Sequence, residues 1–141
     1  MHQRTTSVMR AVMVFVSVPG ERRVPLPAQW HYDKNDPYAV RLSLGAPAAG
    51  PVTWVFARDL LTEGLRRPAG TGDVLVFPRH GCLPGTMRIV LRSDADAALI
   101  EIAVQEVTGF LASTRALVPT GSESRYVDIE SGLAQLTGRG D

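Results

Sequence analysis

Three places in the 141-residue sequence bring together residue types that could do chemistry. In "PRHGCLPG" His80 and Cys82 lie two positions apart, and a thiolate beside an imidazole is a potential nucleophile. In "YDKNDPY" Asp33 and Asp36 could act as paired carboxylates. The stretch "RDLLTEGLRRPAGTGDV", residues 58–74, sets charged side chains against Gly70 and Gly72, the composition of a phosphate cradle or a recognition surface. Each enzymatic reading meets an objection. Two neighbours in a glycine loop have no third group to orient them, and a lone Cys is ordinarily a small, half-buried side chain. Asp33 and Asp36 flank an Asn and precede a Pro, which is turn chemistry. His2, His31 and His80 lack metal-ligand spacing, and a single cysteine excludes an intramolecular disulfide or a multi-cysteine zinc site. No catalytic residue, cofactor or metal is therefore expected, and the protein reads as a non-enzyme.

The phosphate reading of 58–74 depends on the order of elements. Ala57, Leu60, Leu61, Gly64 and Leu65 recur at helical spacing and predict an amphipathic helix over Ala57–Arg67, with Asp59 and Glu63 toward its start, Arg66 and Arg67 at its end, and Pro68 as its stop. The glycines follow this helix and lead into a strand. Anion binding needs the reverse, a glycine loop feeding a helix N-terminus. Gly72 is expected to hold a positive φ in a structural corner.

The elements around this helix are mostly strands. Val24 to Tyr32, Tyr38 to Leu44 and Val52 to Phe56 alternate apolar and polar residues, each with one face in a core. Pro25 and Pro27 make the first of these an edge strand or its lead-in. The N-terminal strand, roughly Thr6 to Val18, is apolar on both sides: Met9, Ala11, Met13 and Phe15 on one, Val8, Val12, Val14 and Val16 on the other. Both sides want burial, centrally or against another subunit, so the chain is expected to self-associate. Further strands are predicted at 74–79, 86–93 and 98–104, a helix over Gln105–Arg115 burying Val107, Phe110 and Leu111, and a last helix from an Asp128 N-cap to Leu136. The fold class is α+β: largely antiparallel sheets of about seven strands with three helices, in one domain over residues 1–141.

Charge is uneven. Residues 1–93 carry twelve Lys and Arg against six Asp and Glu, residues 94–141 three against eight, and the chain totals +1. The short apolar run from Ala11 to Val16 is no signal-peptide core, and nothing approaches the ~20 apolar residues of a membrane span, so a cytoplasmic location is expected. Single-stranded nucleic acid is the alternative partner, since sheets with exposed aromatics and Arg stack bases. Trp30, Tyr32, Tyr38, Trp54 and Phe56 all fall on core-facing positions, however, and a pI near 8.0 is modest for such a role.

The stretches "DPYAVRLSL", "WVFARDLLTEGLRRPAGTGDVLVFP" and "VPTGSESRYVDIESGLAQL" resemble the SsgA-like proteins of sporulating actinomycetes, and look most like the SsgB branch of that family. The similarity runs from about Trp30 to Leu136. It implies a non-enzymatic regulator that positions septa by recruiting the tubulin-like division protein FtsZ, with an SsgA-type paralogue as second partner, at the cell septum. It also implies a whirly-like architecture and assembly as a homotrimer. Joined to the helix reading, it makes the outer side of Ala57–Arg67 the candidate protein-interaction surface: Arg58, Asp59, Glu63, Arg66 and Arg67, with Glu63 and Arg67 a favourable i, i+4 pair. Arg58 and Asp59 could instead anchor the turn to neighbouring strands.

Overall fold

A computed structural model describes residues 6–46, 48, 50–78, 85–94 and 96–127. His2, His80, Cys82 and the whole of the expected last helix, Asp128 to Leu136, lie outside the described residues. The elements are β1 (Ser7–Ser17), β2 (Val24–Asp33), β3 (Ala39–Leu44), β4 (Val52–Ala57), α1 (Arg58–Glu63), β5 (Val74–Phe77), β6 (Thr86–Arg92), β7 (Ala97–Ala103) and α2 (Val104–Leu117). Residues 123–127 are also helical.

The strands form one antiparallel sheet in the order β4-β3-β2-β1-β7-β6-β5. β1 is its spine. It pairs with β2 from Ser7 to Val16 and meets β7 only over Phe15–Ser17, so two half-sheets diverge from its C-terminal end. Right-handed twist then curls the halves toward each other. Trp54 of β4 consequently lines the same cleft as Leu91 of β6 and Ala98 of β7, although several strands separate them along the sheet.

Alternation along the strands fills the concave side. Val14, Trp30, Tyr32, Val40, Leu42 and Phe56 from one half meet Val76, Met87, Ile89 and Ile100 from the other, under Val107, Phe110 and Leu111 of α2. Trp30 stacks on Phe110 at 5.0 Å and meets Phe56 edge-on at 6.1 Å. Such side chains contribute about 1.5–3 kcal/mol each on full burial. Gly109, a weak helix former, is carried within α2 by this packing. A Cβ there would lie 2.8 Å from the guanidinium of Arg10 on β1, whose Nε donates to Glu106 at 3.1 Å. A larger residue there would only have to displace the tip of that flexible side chain, so the cost of glycine, ~1 kcal/mol against Ala, is carried by the packing of α2 as a whole.

Two sequence expectations are corrected here. β2 is not an edge strand but interior over Ala28–His31, where β3 pairs with it; the lead-in alternative holds, with Pro25 and Pro27 ahead of that ladder and the Pro27 carbonyl accepting from the Gly45 N–H at 2.8 Å. Tyr38 is not in the core. It precedes β3 in a turn and is 49% exposed, while its carbonyl accepts from the Arg58 N–H at 2.7 Å. Asp33 and Asp36 build the turn before it: Asp33 Oδ1 accepts from the Asn35 N–H at 2.8 Å and the Asp33 carbonyl from the Asp36 N–H at 2.9 Å.

Candidate interaction surface

The charged stretch divides into a buried anchor and an exposed remainder. Arg58, the first residue of α1, is only 2% exposed, so its expected place on the outer side of the helix is corrected. Spacing explains why: Arg58 is three positions before Leu61 and seven before Leu65, on the same stripe that faces the core. Its guanidinium spans the gap between sheet and α2. It donates to the carbonyl of Val118 at 2.8 Å, to the carbonyl and hydroxyl of Thr114 at 3.3 and 3.4 Å, and to Glu123 Oε2 at 2.6 Å. It also lies 5.0 Å from the centre of the Tyr32 ring, within cation–π range. The C-terminal end of α2 and the segment after it are thus tied to the first turn of α1.

Both titratable neighbours respond. Burial pushes the Tyr32 hydroxyl up to about 12 against the opposing pull of Arg58, and the hydroxyl donates to the Pro37 carbonyl at 2.9 Å. For Glu123, burial works against the charge, but the Arg58 hydrogen bond and backbone N–H groups, that of Gly121 among them at 2.8 Å, outweigh it and hold the carboxyl below its ordinary range. Sequence reasoning missed Glu123 and Thr114 altogether. Nothing in the spacing links them to a residue more than fifty positions earlier.

Leu61 is buried and Leu60 and Leu65 are half-buried, as the stripe requires. The α-helical part ends at Glu63, shorter than expected, and continues as turns in which Arg66 and Arg67 N–H both donate to the Glu63 carbonyl. Gly64 sits against β5: a Cβ there would fall 2.1 Å from Val76 Cγ1, so only glycine lets α1 lie on the sheet. Asp59, Arg66 and Arg67 are exposed, and Glu63 is half-buried beneath the two arginines. Glu63 pairs with Arg67 and lies 4.0 Å from Arg66. Four of the five expected surface residues therefore share one charged exposed patch.

The corner after α1 is built differently from the expectation. Gly70, not Gly72, holds the positive φ, at 103°, and a Cβ on it would lie 2.3 Å from the Val74 carbonyl; Gly72 has open space around it. Replacing Gly70 by Val is accordingly expected to lower thermal stability sharply, because strain and a backbone clash coincide. Gly72→Val is expected to melt within a few degrees of the parent chain. Differential scanning calorimetry of the two variants separates these outcomes.

A second surface lies on the convex side of the sheet. Met9, Met13 and Phe15 of β1 are 60, 58 and 36% exposed, while Val14 on the opposite side is fully buried. Pro25 and Pro27 continue this apolar strip on β2 by register with Phe15 and Met13. Both α1 and α2 lie on the other side; the Arg23 guanidinium, held by Glu101 at 2.6 Å, lies 3.9 Å from the centre of the Phe15 ring and covers that end of the strip, while Met9 and Met13 stay more than half exposed. Among the described residues there is no cluster of metal-ligating side chains, and no helix is long and apolar enough to cross a membrane.

Comparison with known proteins agrees with this architecture. The family model described as Streptomyces sporulation and cell division protein, SsgA, matches residues 26–123. The sporulation-specific cell division protein SsgB of Streptomyces coelicolor is 41% identical over 131 residues, 93% of this chain and 96% of that protein. SsgB of Thermobifida fusca is 38% identical over 130 residues, 92% of this chain and 94% of that protein. Among solved structures, one from work on SsgB mutations and longitudinal cell division in S. coelicolor superposes with a TM-score of 0.78 at 43% identity, covering 86% of this chain and 95% of that one. The crystal structure of an SsgA-like sporulation-specific cell division protein from T. fusca gives 0.85 at 37% identity, covering 96% and 98%. The single antiparallel sheet, the helices packed on it and the matched sequence place this chain in the SsgA family of sporulation and cell division proteins.

Proposed function

We propose that the chain is a non-enzymatic adaptor that positions septa by recruiting the tubulin-like division protein FtsZ, working at the septum with an SsgA-type paralogue and assembled as a homotrimer. The observation that carries this reading is the separation of two exposed surfaces on one rigid sheet. The convex strip of Met9, Met13 and Phe15 suits permanent contact with like chains. The patch of Asp59, Glu63, Arg66 and Arg67 suits a reversible partner, because exposed charges steer association more than they hold the fold. Kinship with proteins named for sporulation-specific cell division supplies the biological setting.

A single-strand nucleic-acid role gains nothing from the geometry. Trp30 and Tyr32 are fully buried and Phe56 is nearly so, leaving no row of exposed rings for bases to stack on among the described residues.

The test is a pull-down with purified FtsZ, comparing the parent chain with an Arg66→Glu, Arg67→Glu double variant. Exposed charges at a helix end are worth about 0.3–1 kcal/mol, so the variant should fold and melt near the parent temperature. FtsZ capture should fall severalfold at low salt, and the difference should shrink as salt rises. A variant that melts early yet captures FtsZ as well as the parent would make this patch scaffold.

A further inference from the structure

The two edges of the sheet are treated differently. β5 is covered by the segment after α1: Ala69 and Val76 exchange N–H···O bonds of 2.9 Å in both directions. β4 closes the sheet on the other side, and among the described residues no backbone group bonds to its outer edge. Nor does it carry the usual safeguards of an open edge. Val52–Ala57 reads VTWVFA, with no charge and no proline, and Val52 and Val55 are 60 and 53% exposed. An edge of this kind is a template for one more strand.

Beside it opens a cleft of about 520 Å³ where the two half-sheets curl together. Trp54, Leu91, Ala98 and Pro19 give it apolar walls, and Glu21 and Asp96 line it without any Lys or Arg. Glu21 and Asp96, like Asp33, Asp59, Asp73 and Asp94, have no arginine partner among the described residues, but they are the two such carboxylates that line this cleft. An apolar cleft bearing unmatched carboxylates beside an open strand edge is complementary to a chain that is extended, apolar on one side and cationic.

We propose that the β4 edge and this cleft form a docking groove for an extended segment of a protein partner, one that combines apolar side chains with Lys or Arg. The segment pairs with β4 through its backbone, lays an apolar side chain against Trp54 and directs its cation to Glu21 and Asp96. A second copy of this chain fits less well, because an edge-to-edge β4 pair brings no cation to those carboxylates. The groove is separate from the charged side of α1 and stands whichever partner that surface takes.

Phage-displayed random peptides panned on the full chain test this. The peptides recovered should be rich in Lys or Arg interleaved with apolar residues, and hydrogen exchange with a recovered synthetic peptide should show new protection across 52–57. Both carboxylates are on the surface, so a Glu21→Lys, Asp96→Lys variant should keep its melting temperature while binding that peptide about tenfold more weakly. Failure to recover any peptide, recovery without a cationic bias, equal binding by the variant, or protection confined elsewhere would each overturn the proposal. A change in oligomeric state of the double variant would assign the cleft to self-assembly instead.

Discussion

Replacing Arg58 by Met should cost about 3–5 kcal/mol, the loss that follows when one partner of a buried ion pair is removed and the other stays behind. Three features make this the most damaging change available in the charged stretch. The substitution leaves Glu123, nearly as buried as Arg58 itself, without its cation. It orphans the carbonyl of Val118, where α2 ends. It also uncouples α1 from α2, which no other contact of the described charged residues joins. For a domain of this size, the melting temperature should fall by roughly 10 °C or more. Replacing both Arg58 and Glu123 by apolar residues of similar volume should recover part of the loss, since the desolvated charge is then gone. A single Arg58→Met variant that melts within two or three degrees of the parent, on the order of the error of such scans, would show that the anchor is incidental.

The same cluster fixes a pH dependence. Glu123 ionises more readily in the folded chain than in the unfolded one. Its contribution is therefore complete above the unfolded carboxyl value, near pH ~4.3, and fades as pH falls through the lower folded value. Tyr32 runs the other way: its folded value of about 12 lies above the ordinary 10.0. Its contribution is intact below the ordinary value and is lost as pH rises through the folded one. Urea midpoints measured across the acid range should lose part of their slope in Glu123→Gln, and the alkaline limb should flatten in Tyr32→Phe.

How much of this was legible in the sequence follows from the range of the interactions. Alternation along 24–33, 39–44 and 52–57 is a local signal, and it located the strands and their buried sides because the side-chain period of two survives any topology. Five of the six strand neighbours are consecutive in sequence, whereas the junction of β1 with β7 was not available, since no turn records that choice. The outward placement of Asp59, Glu63, Arg66 and Arg67 was readable from helical spacing, although α1 ends at Glu63 and the two arginines follow it in turns. Arg58 was readable as well, from its register with Leu61 and Leu65, but its charge argued for solvent. The residue that reverses that argument, Glu123, arrives from the far end of the chain. Gly70 and Gly72 show the same limit: both suit a corner, and only the closing of Ala69 onto Val76 determines which of them must bend backward.

Changing Met13 to Lys should convert the proposed assembly to a 15.3 kDa monomer with an intact fold, as read by light scattering coupled to size exclusion at tens of micromolar. The position matters. Val14 is fully buried beneath α2, so a charge there would unfold the sheet and say nothing about association. Met13 is its immediate neighbour, yet it points to the convex side and is more than half exposed, so a single chain tolerates Lys with little change in stability. In an assembly packed through this strip the same lysine must be desolvated. Burying a Met contributes about 1.5–3 kcal/mol, and an unpaired ammonium in its place reverses the sign at several kcal/mol more. In a closed ring every subunit carries the substitution, so the penalty recurs at each interface and weakens assembly by orders of magnitude. Met13→Leu, which keeps volume and polarity, should leave the mass of the assembly unchanged. If the Lys variant still runs as an oligomer at the same concentration, the convex strip of Met9, Met13 and Phe15 is not the interface.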